Sequence, residues 1–266
     1  LLRVVMTSFF KTINMIVLIV SLSCFAIVQA YNIRALSSCG DGNRVVAFTF
    51  DDGPDPIYDD ELMTELRDVG INATFFTSPK VRDYDEDEQC QLALLQHLDG
   101  HQIEMHTMSH PHFPKISDAE IDFEMVSSAN WVSRCTQGHI PKYFRPPYGE
   151  LTPSQVQLLS DRYGVIITQW NVESDDHEFE ENHDPDVVAQ RVIDNFEEKV
   201  HIGNSAIILM HNYFAGLRPS VVTQVANYFK EIGYRFVTID ECYKMCEESI
   251  CKGTGGPTFY DDVYVP

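Results

Sequence analysis

The sequence is poor in basic residues, with 19 Lys and Arg against 40 Asp and Glu and a formal net charge of −21. Nucleic acids and anionic membrane surfaces are bound through patches of Lys and Arg, so the charge argues against both partners. The composition, 44% apolar and 22% charged, excludes a disordered chain and favours a globular one. The 266 residues are enough for one large domain or two small ones.

Long apolar runs are also scarce. The prominent one, residues 15–28, follows the basic Lys11 and ends at Val28-Gln29-Ala30, a sequence suited to signal peptidase. It is shorter than the roughly 20 residues that span a bilayer, which disfavours a membrane anchor. We therefore expect a signal peptide at residues 1–30 and a protein that is secreted to the extracellular space or the cell wall.

One of the 7 cysteines, Cys24, lies in that leader, and an even set is left in the mature chain. In an oxidising compartment these cysteines predict up to three disulfides, with the pairing left open. A zinc knuckle is the weaker alternative for the last three, because exported thiols are usually oxidised. The mature set is Cys39, Cys90, Cys135, Cys242, Cys246 and Cys251.

β-rich runs alternate with amphipathic stretches along the chain. The pattern predicts strands at 45–50, 73–77, 102–106, 143–145, 165–170, 206–211 and 235–239. It predicts helices at 58–68, 88–98, 118–134, 153–162, 185–200 and 219–231, with Ser117 and Thr152 as N-caps. Strict alternation indicates parallel strands joined by crossover helices. We find no repeat or internal linker, and we expect a flexible tail at 252–266.

Polar clusters follow five of the predicted strands at their carboxyl ends, which in a parallel fold meet at one rim where active sites lie. A single cluster would be weak evidence, but their shared position predicts one site. The clusters are Asp51-Asp52-Gly53-Pro54, His106-Thr107-Met108-Ser109-His110, Arg145-Pro146-Pro147-Tyr148-Gly149, Trp170 through His177, and His211.

His106 and His110, with one carboxylate, predict a catalytic metal site that leaves coordination positions open to water. Asp51 and Asp52 can supply both the metal-binding carboxylate and a base that takes a proton from the water. The alternative is that the two histidines only form hydrogen bonds at the rim. We take the remaining three of this region as ordinary histidines: His101, His112 and His139.

These motifs, in this order and spacing, resemble the NodB-homology polysaccharide deacetylases, carbohydrate esterase family 4, which include the chitin deacetylases. The resemblance covers about residues 40–245 and implies an α/β fold, a distorted (β/α) barrel of seven or eight strands with disulfides. We expect the catalytic domain at 31–251. The resemblance implies an enzyme that hydrolyses N-acetyl groups of β-1,4-linked GlcNAc polymers, chitin foremost, and we expect a monomer.

Site roles follow from the matched positions. The resemblance implies that Asp51 is the general base and His211 the general acid, and that the metal, zinc foremost with cobalt or manganese as alternatives, is bound by Asp52, His106 and His110. Arg145 would orient the base, and the Tyr148 backbone N–H would donate to the oxyanion. The implied substrate contacts are Leu209 for the acetyl methyl, with Pro147, Tyr148 and Trp170.

The fourth motif departs from the family's Asp-x-x-Asp-aromatic pattern and reads Glu173-Ser174-Asp175-Asp176-His177. Asp176 keeps the position of the carboxylate that would pair with His211 and adjust its acidity. An alignment that used Asp175 instead would break the spacing of the family motif. Glu173 adds one methylene, and His177 replaces an aromatic residue that commonly walls the groove. We expect these two changes to affect substrate binding more than catalysis.

The resemblance also implies a Cys39–Cys242 disulfide, after which Cys90–Cys135 and Cys246–Cys251 are the pairs left over. An acetyl-xylan or peptidoglycan deacetylase of the same family would share these catalytic residues. A catalytically inactive carbohydrate-binding relative is the non-enzyme alternative. A serine hydrolase is disfavoured because the sequence has no Gly-x-Ser-x-Gly, and nothing besides the metal ligands favours an iron oxygenase.

Overall fold

Eight parallel strands form the central sheet of the computed structural model, which describes residues 35–179 and 183–246. The predicted signal peptide, the predicted tail and Cys251 lie outside the described residues. The strands are β1 (Val45–Asp51), β2 (Thr74–Thr77), β3 (Gln102–Met105), β4 (Tyr143–Phe144), β5 (Ile166–Ile167), β6 (Val172–Glu173), β7 (Ala206–His211) and β8 (Arg235–Phe236).

The strands follow the order β5-β4-β3-β2-β1-β7-β6, and β8 pairs with β1. The sheet is a curled half-barrel, which confirms the predicted distorted (β/α) barrel. Helices connect the strands: α1 (Asp59–Val69), α2 (Glu86–Leu98), α3 (Asp118–Cys135), α4 (Pro153–Tyr163), α5 (Pro185–Lys199), α6 (Asn212–Leu217), α7 (Ser220–Glu231) and α8 (Ile239–Met245). Ser117 and Thr152 form the capping boxes of α3 and α4, in line with their predicted role.

Strand β1 is buried along its whole length and presents different residues to the two faces of the sheet. Val46, Phe48 and Phe50 belong to the core beneath the helices, whereas Val45 and Ala47 belong to a smaller inner core. Because side chains alternate along a strand, the next residues on the inner face are polar, ending at the carboxyl end of β1. The fold therefore places polar groups inside the barrel at one rim.

Two of the three expected disulfides are present. Cys39–Cys242 joins the segment before β1 to α8, and Cys90–Cys135 joins α2 to the end of α3. The third predicted pair includes Cys251, outside the described residues. Within the described ranges, no helix has the length and apolar character to cross a membrane.

The predicted strand at 165–170 is shorter in the structure, and β6 follows it as a separate strand. Thr168 N–H donates to Phe144 O (2.8 Å), on the β4 side, while Asn171 N–H donates to Ile207 O (3.2 Å), on the β7 side. The chain between β5 and β6 therefore passes from one edge of the half-barrel to the other. The chain leaves the β4 edge after Thr168 to reach the β7 edge, which ends the strand early, so this prediction was wrong in its length.

Candidate active site

The strand register brings the predicted motifs together at one rim. Asp51 and His211 are direct neighbours in the pairing of β1 with β7. His106 and Arg145 follow β3 and β4, and their N–H groups continue the sheet ladder by donating to Thr77 O (2.9 Å) and Met105 O (3.0 Å). Residues that are far apart in sequence thus lie on adjacent strand ends.

Asp52, His106 and His110 form a compact cluster. Asp52 Oδ1 lies 3.5 Å from His106 Nε2 and 3.3 Å from His110 Nε2. His106 Nδ1 lies 2.7 Å from the Arg145 carbonyl oxygen. Because a carbonyl only accepts, Nδ1 carries the hydrogen and the Nε2 lone pair faces Asp52.

These donor atoms fit a divalent metal ion. Asp52 Oδ1 is buried and has no hydrogen-bond partner, which is costly unless a cation or a donor pairs with it. Burial and the neighbouring His110 lower the pKa of His106 to about 3, so its imidazole is neutral, the state that binds metals. Together with His110, the oxygen and nitrogen donors suit zinc and related divalent ions.

The backbone around this cluster is strained. Asp52, Thr107 and His110 have φ angles of 71°, 72° and 59°, in the left-handed region that residues other than glycine rarely adopt. Such conformations cost free energy and collect at functional sites. The next residue, Gly53, has no room for a side chain, because a Cβ there would lie 2.3 Å from the Asn212 side chain.

A residue that the sequence did not single out holds the loop between the two metal-cluster histidines. Glu124 of α3 accepts hydrogen bonds from the N–H groups of Met108 (2.8 Å) and Ser109 (2.9 Å). The Ser109 hydroxyl donates to the other carboxylate oxygen at 2.6 Å. Glu124 is buried and lies three residues after the buried Ile121. In the sequence, a charged residue within the apolar stripe of a helix is the signal that could have identified Glu124.

Arg145 holds Asp51 inside the barrel. Its guanidinium is fully buried and donates through Nη1 to Asp51 Oδ1 and to Thr49 Oγ1, both at 2.8 Å. Nη2 donates to the Gln169 carbonyl oxygen at 3.2 Å. Burial raises the pKa of Asp51, against the opposing charges of Arg145 and His211. Asp51 is therefore a carboxylate with one oriented oxygen and an increased affinity for a proton.

His211 and Asp176 form the opposite side of the site. His211 Nδ1 lies 2.7 Å from Asp176 Oδ1, and the His211 N–H donates to Asp176 Oδ2 at 2.8 Å. Burial opposes a charge on His211, but the carboxylate outweighs it and raises the pKa of His211 to about 10. Burial likewise works to raise the pKa of Asp176, and the neighbouring His211 outweighs it and holds that pKa well below its usual range.

The other two acidic residues of the fourth motif, Asp175 and Glu173, have different surroundings. Asp175 faces away from His211 and accepts from Arg191 (3.2 Å) and Asn195 (2.9 Å), which agrees with the alignment on Asp176. Glu173 is paired in register with Leu209, and its Oε1 atom is buried with no hydrogen-bond partner. Burial raises the pKa of this carboxyl.

An aromatic wall lies beside the metal cluster. Tyr148 is 53% exposed and stacks on His112, with ring centroids 3.9 Å apart and planes at 7°. Its ring also meets His110 edge-on at 4.6 Å. His112 is fixed by Glu150, 2.9 Å away. The prediction that His112 is an ordinary histidine is therefore wrong, because its ring supports the exposed ring of Tyr148.

The other predicted substrate contacts lie nearby. Leu209 is buried on β7 two residues before His211, and Pro147 is buried next to Tyr148. The Trp170 ring lies 5.5 Å from the Arg145 guanidinium. By contrast, the last two histidines that we took as ordinary have structural partners. His101 Nδ1 accepts from the Ala73 N–H, and His139 faces Glu104.

A second buried network links the ends of β1 and β7. The Asp59 carboxylate accepts from Asn212 Nδ2 (2.9 Å), from Gln96 (2.9 Å) and from the Asp55 N–H (2.9 Å). Burial raises the pKa of Asp59 to about 7. Asn212 follows His211 directly and packs against Gly53, so this network fixes the strand ends that carry Asp51 and His211 relative to each other.

Comparisons with known proteins identify relatives of this chain. The family model described as polysaccharide deacetylase matches residues 40–165. A chitooligosaccharide deacetylase of Bradyrhizobium sp. is 30% identical over 174 residues, 64% of this chain and 72% of its own length. A peptidoglycan-N-acetylglucosamine deacetylase of Bacillus cereus is 29% identical over 209 residues, 76% and 70% of the two lengths. The chain spans 39% of the length of the similar Listeria monocytogenes enzyme PgdA.

Solved structures show the same fold. The Bc1960 peptidoglycan N-acetylglucosamine deacetylase superposes with a TM-score of 0.68 at 25% identity, over 83% of this chain and 96% of its own. The chitin deacetylase of the fungal pathogen Colletotrichum lindemuthianum gives 0.67 at 26% identity, over 78% and 89%.

A parallel half-barrel with a carboxylate and histidine cluster at its carboxyl rim defines a hydrolase of the polysaccharide deacetylase class. The chain belongs to the polysaccharide deacetylases, carbohydrate esterase family 4.

Proposed function

We propose that the protein is a secreted deacetylase that removes N-acetyl groups from β-1,4-linked GlcNAc polymers, converting chitin to chitosan and acetate. The observation that carries this proposal is the register pairing of Asp51 with His211. It sets a carboxylate and an imidazole on adjacent strand ends, beside the cluster of Asp52, His106 and His110. Hydrolysis of an amide needs such a base and acid on either side of the carbonyl carbon.

The metal cluster and Asp51 act on the attacking water. Asp52, His106 and His110 would hold a divalent ion, which would supply the Lewis acidity that polarises the acetyl carbonyl and acidifies water. Asp51 accepts the proton of the water as its oxygen bonds to the carbonyl carbon. Arg145 keeps Asp51 Oδ1 in place, which leaves Oδ2 to take the proton.

His211 and Tyr148 act on the other atoms. The Tyr148 N–H donates to the oxygen that becomes negative as the carbonyl carbon turns tetrahedral. His211, kept protonated by Asp176, gives its proton to the sugar nitrogen as the C–N bond breaks. The products are acetate and the amine of a glucosamine unit. The raised pKa of Asp51 and of His211 fits these assigned directions of proton transfer.

Charge favours chitin over peptidoglycan as the substrate. The chain has a net charge of −21, and peptidoglycan carries carboxylates in its peptides, so the two repel at long range. Chitin is uncharged, and chitosan is cationic. The two disulfides support an extracellular location. The similarity to the Colletotrichum chitin deacetylase supports the same substrate.

The substrate assignment is tested by initial rates of acetate release from chitin oligomers, N-acetylated peptidoglycan and acetyl-xylan with the zinc-loaded protein. We expect the chitin oligomers to react fastest. A higher rate on peptidoglycan or acetyl-xylan would reassign the substrate within the family. Release from none of the three would favour an inactive carbohydrate-binding relative.

A further inference from the structure

His177 is the residue of the fourth motif that the proposed mechanism leaves without a role. Its ring meets the His211 ring edge-on, with centroids 5.4 Å apart. Its Nδ1 lies 3.9 Å from Asp176 Oδ1, and His211 Nδ1 lies 2.7 Å from the same oxygen. Two imidazole nitrogens thus converge on one carboxylate oxygen, apart from the metal cluster described above.

We propose that Asp176, His177 and His211 form a second divalent-metal site, which binds zinc and inhibits the enzyme when filled. The three residues offer ligand atoms that all lie within 4.8 Å of one another. Two imidazoles and one carboxylate are a ligand set that zinc accepts, with water in the fourth position. The inhibition rests on the proposed function, whereas the metal binding does not.

Zinc binding would require a rearrangement on the order of 1 Å among the three ligand atoms, which lie within 4.8 Å of one another. Tetrahedral coordination with bonds of about 2.1 Å sets ligand atoms about 3.4 Å apart. The 2.7 Å separation would open and the 3.9 Å separation would close, each by well under 1 Å. The His177 side chain is 49% exposed, so it has room to turn. Asp176 Oδ2 keeps its hydrogen bond from the His211 N–H and holds the carboxylate still.

Zinc at this site would disable the acid. It would replace the hydrogen on His211 Nδ1, the nitrogen that now pairs with Asp176, and leave only the Nε2–H. That N–H is a far weaker acid than an imidazolium, because its loss would leave an imidazolate, so it would be a poor proton donor to the departing amine. Zinc must displace the hydrogen that His211 shares with Asp176, so we expect this site to bind more weakly than the Asp52 cluster. Zinc in excess of the first equivalent should therefore inhibit.

The binding is tested by equilibrium dialysis of the chelated full-length protein against zinc alone, with the bound metal counted. We compare the wild type with His177→Phe, which restores an aromatic side chain. The matched control is His201→Phe, another exposed histidine, outside both metal-binding groups. We expect two zinc ions in the wild type and in the control. In His177→Phe we expect one, with the second affinity reduced at least about tenfold, the loss that even an outer-shell change causes.

Two results would overturn the site: a wild type that saturates at one zinc ion, or a His177→Phe variant that binds the second ion as tightly as the wild type. Retention of the first ion by His177→Phe shows that the variant is folded.

Acetate release over the same zinc series tests the inhibition. It should rise and then fall in the wild type and in His201→Phe, and should rise to a plateau in His177→Phe. A wild type that binds two ions without losing activity would refute the inhibitory role. A protein that binds two ions and releases no acetate at any zinc concentration would refute the proposed function and leave the second site standing.

Discussion

Asp51 and Asp176 are two buried carboxylates of the same site, 2% and 5% exposed, and their pKa values move in opposite directions. Burial raises the pKa of Asp51, which faces Arg145 and lies beside the metal cluster. Burial also acts on Asp176, but the contact with His211 outweighs it and lowers that pKa. One carboxylate is thus prepared to gain a proton and the other to stay charged.

The difference lies in the partners. Arg145 keeps its charge at any working pH, so it can orient Asp51 without exchanging protons with it. His211 titrates, and Asp176 keeps it protonated until the pH is well above neutrality. Pairs of groups whose environments separate their pKa values mark the acid and the base of a reaction. The base side and the acid side of this site can therefore be tested separately.

The largest effect is expected from Asp51→Asn, which removes the proposed base but keeps the size of the side chain. We expect kcat to fall by about 10³–10⁴-fold, the upper range for general base catalysis, with zinc binding retained. Acetate release and bound zinc are measured together. Asp52→Asn, the neighbouring control, should lose zinc. If Asp51→Asn loses the metal instead, the two roles are exchanged.

Next in size is Asp176→Asn, for which we expect kcat at neutral pH to fall by about 10²–10³-fold. His211 must be protonated, so activity is lost as the pH rises through its pKa, about 10 with Asp176 in place. Without the carboxylate that pKa falls, so the alkaline limb of the pH profile should move to lower pH. Activity must be lost on the acid side as Asp51 gains a proton, and that limb should stay where it is.

Asp175→Asn is the matched control, because Asp175 contacts Arg191 and Asn195 instead of His211. We expect its alkaline limb to coincide with that of the wild type. A shift in Asp175→Asn, with none in Asp176→Asn, would assign the positioning role to Asp175.

A smaller effect is expected from Arg145→Lys on the base side. Lys keeps the charge but cannot reach Thr49, Asp51 and the Gln169 carbonyl together as the guanidinium does. We expect kcat to fall by about 10–100-fold, because a misplaced base transfers protons poorly. The KM for chitin oligomers should change little. Arg162→Lys, at an exposed ion pair with Asp122, is the control and should behave as the wild type.

The smallest effect is expected from Asn212→Ala, which cuts the link between the two strand ends. Asp59 loses one of its three donors, and the loss of such a buried hydrogen bond costs about 1–3 kcal/mol. Thermal unfolding should occur several degrees lower, and kcat should fall a few fold with zinc still bound. Asn130→Ala, exposed on α3, is the control. Unchanged kcat in Asn212→Ala would mean that the network supports the fold alone.

Much of this site could be predicted from the sequence because its residues end strands. The apolar run of β1 and the polar pair after it predict both the strand and the rim position of Asp51. The same reasoning places His211 at the end of β7, and the structure puts the two side by side. The disulfide between Cys39 and Cys242 is also confirmed.

The features that sequence reasoning missed depend on contacts between distant segments. β6 has two residues and exists because the chain crosses from one edge of the half-barrel to the other. No local pattern signals that crossing. The Asp59 network and the stacking of His112 on Tyr148 join side chains from different loops and helices. Glu124 alone had a local signal, as a charge within the buried stripe of its helix.

The central claim is that this rim hydrolyses N-acetyl groups with a bound metal, and acetate release from a chitin oligomer tests it most directly. The protein is first freed of metal with a chelator and then given one equivalent of zinc, alongside Asp51→Asn. We predict no acetate from the chelated protein, release after zinc is restored, and none above background from Asp51→Asn. Release that is equal with and without metal, or equal in the variant and the wild type, would contradict the account.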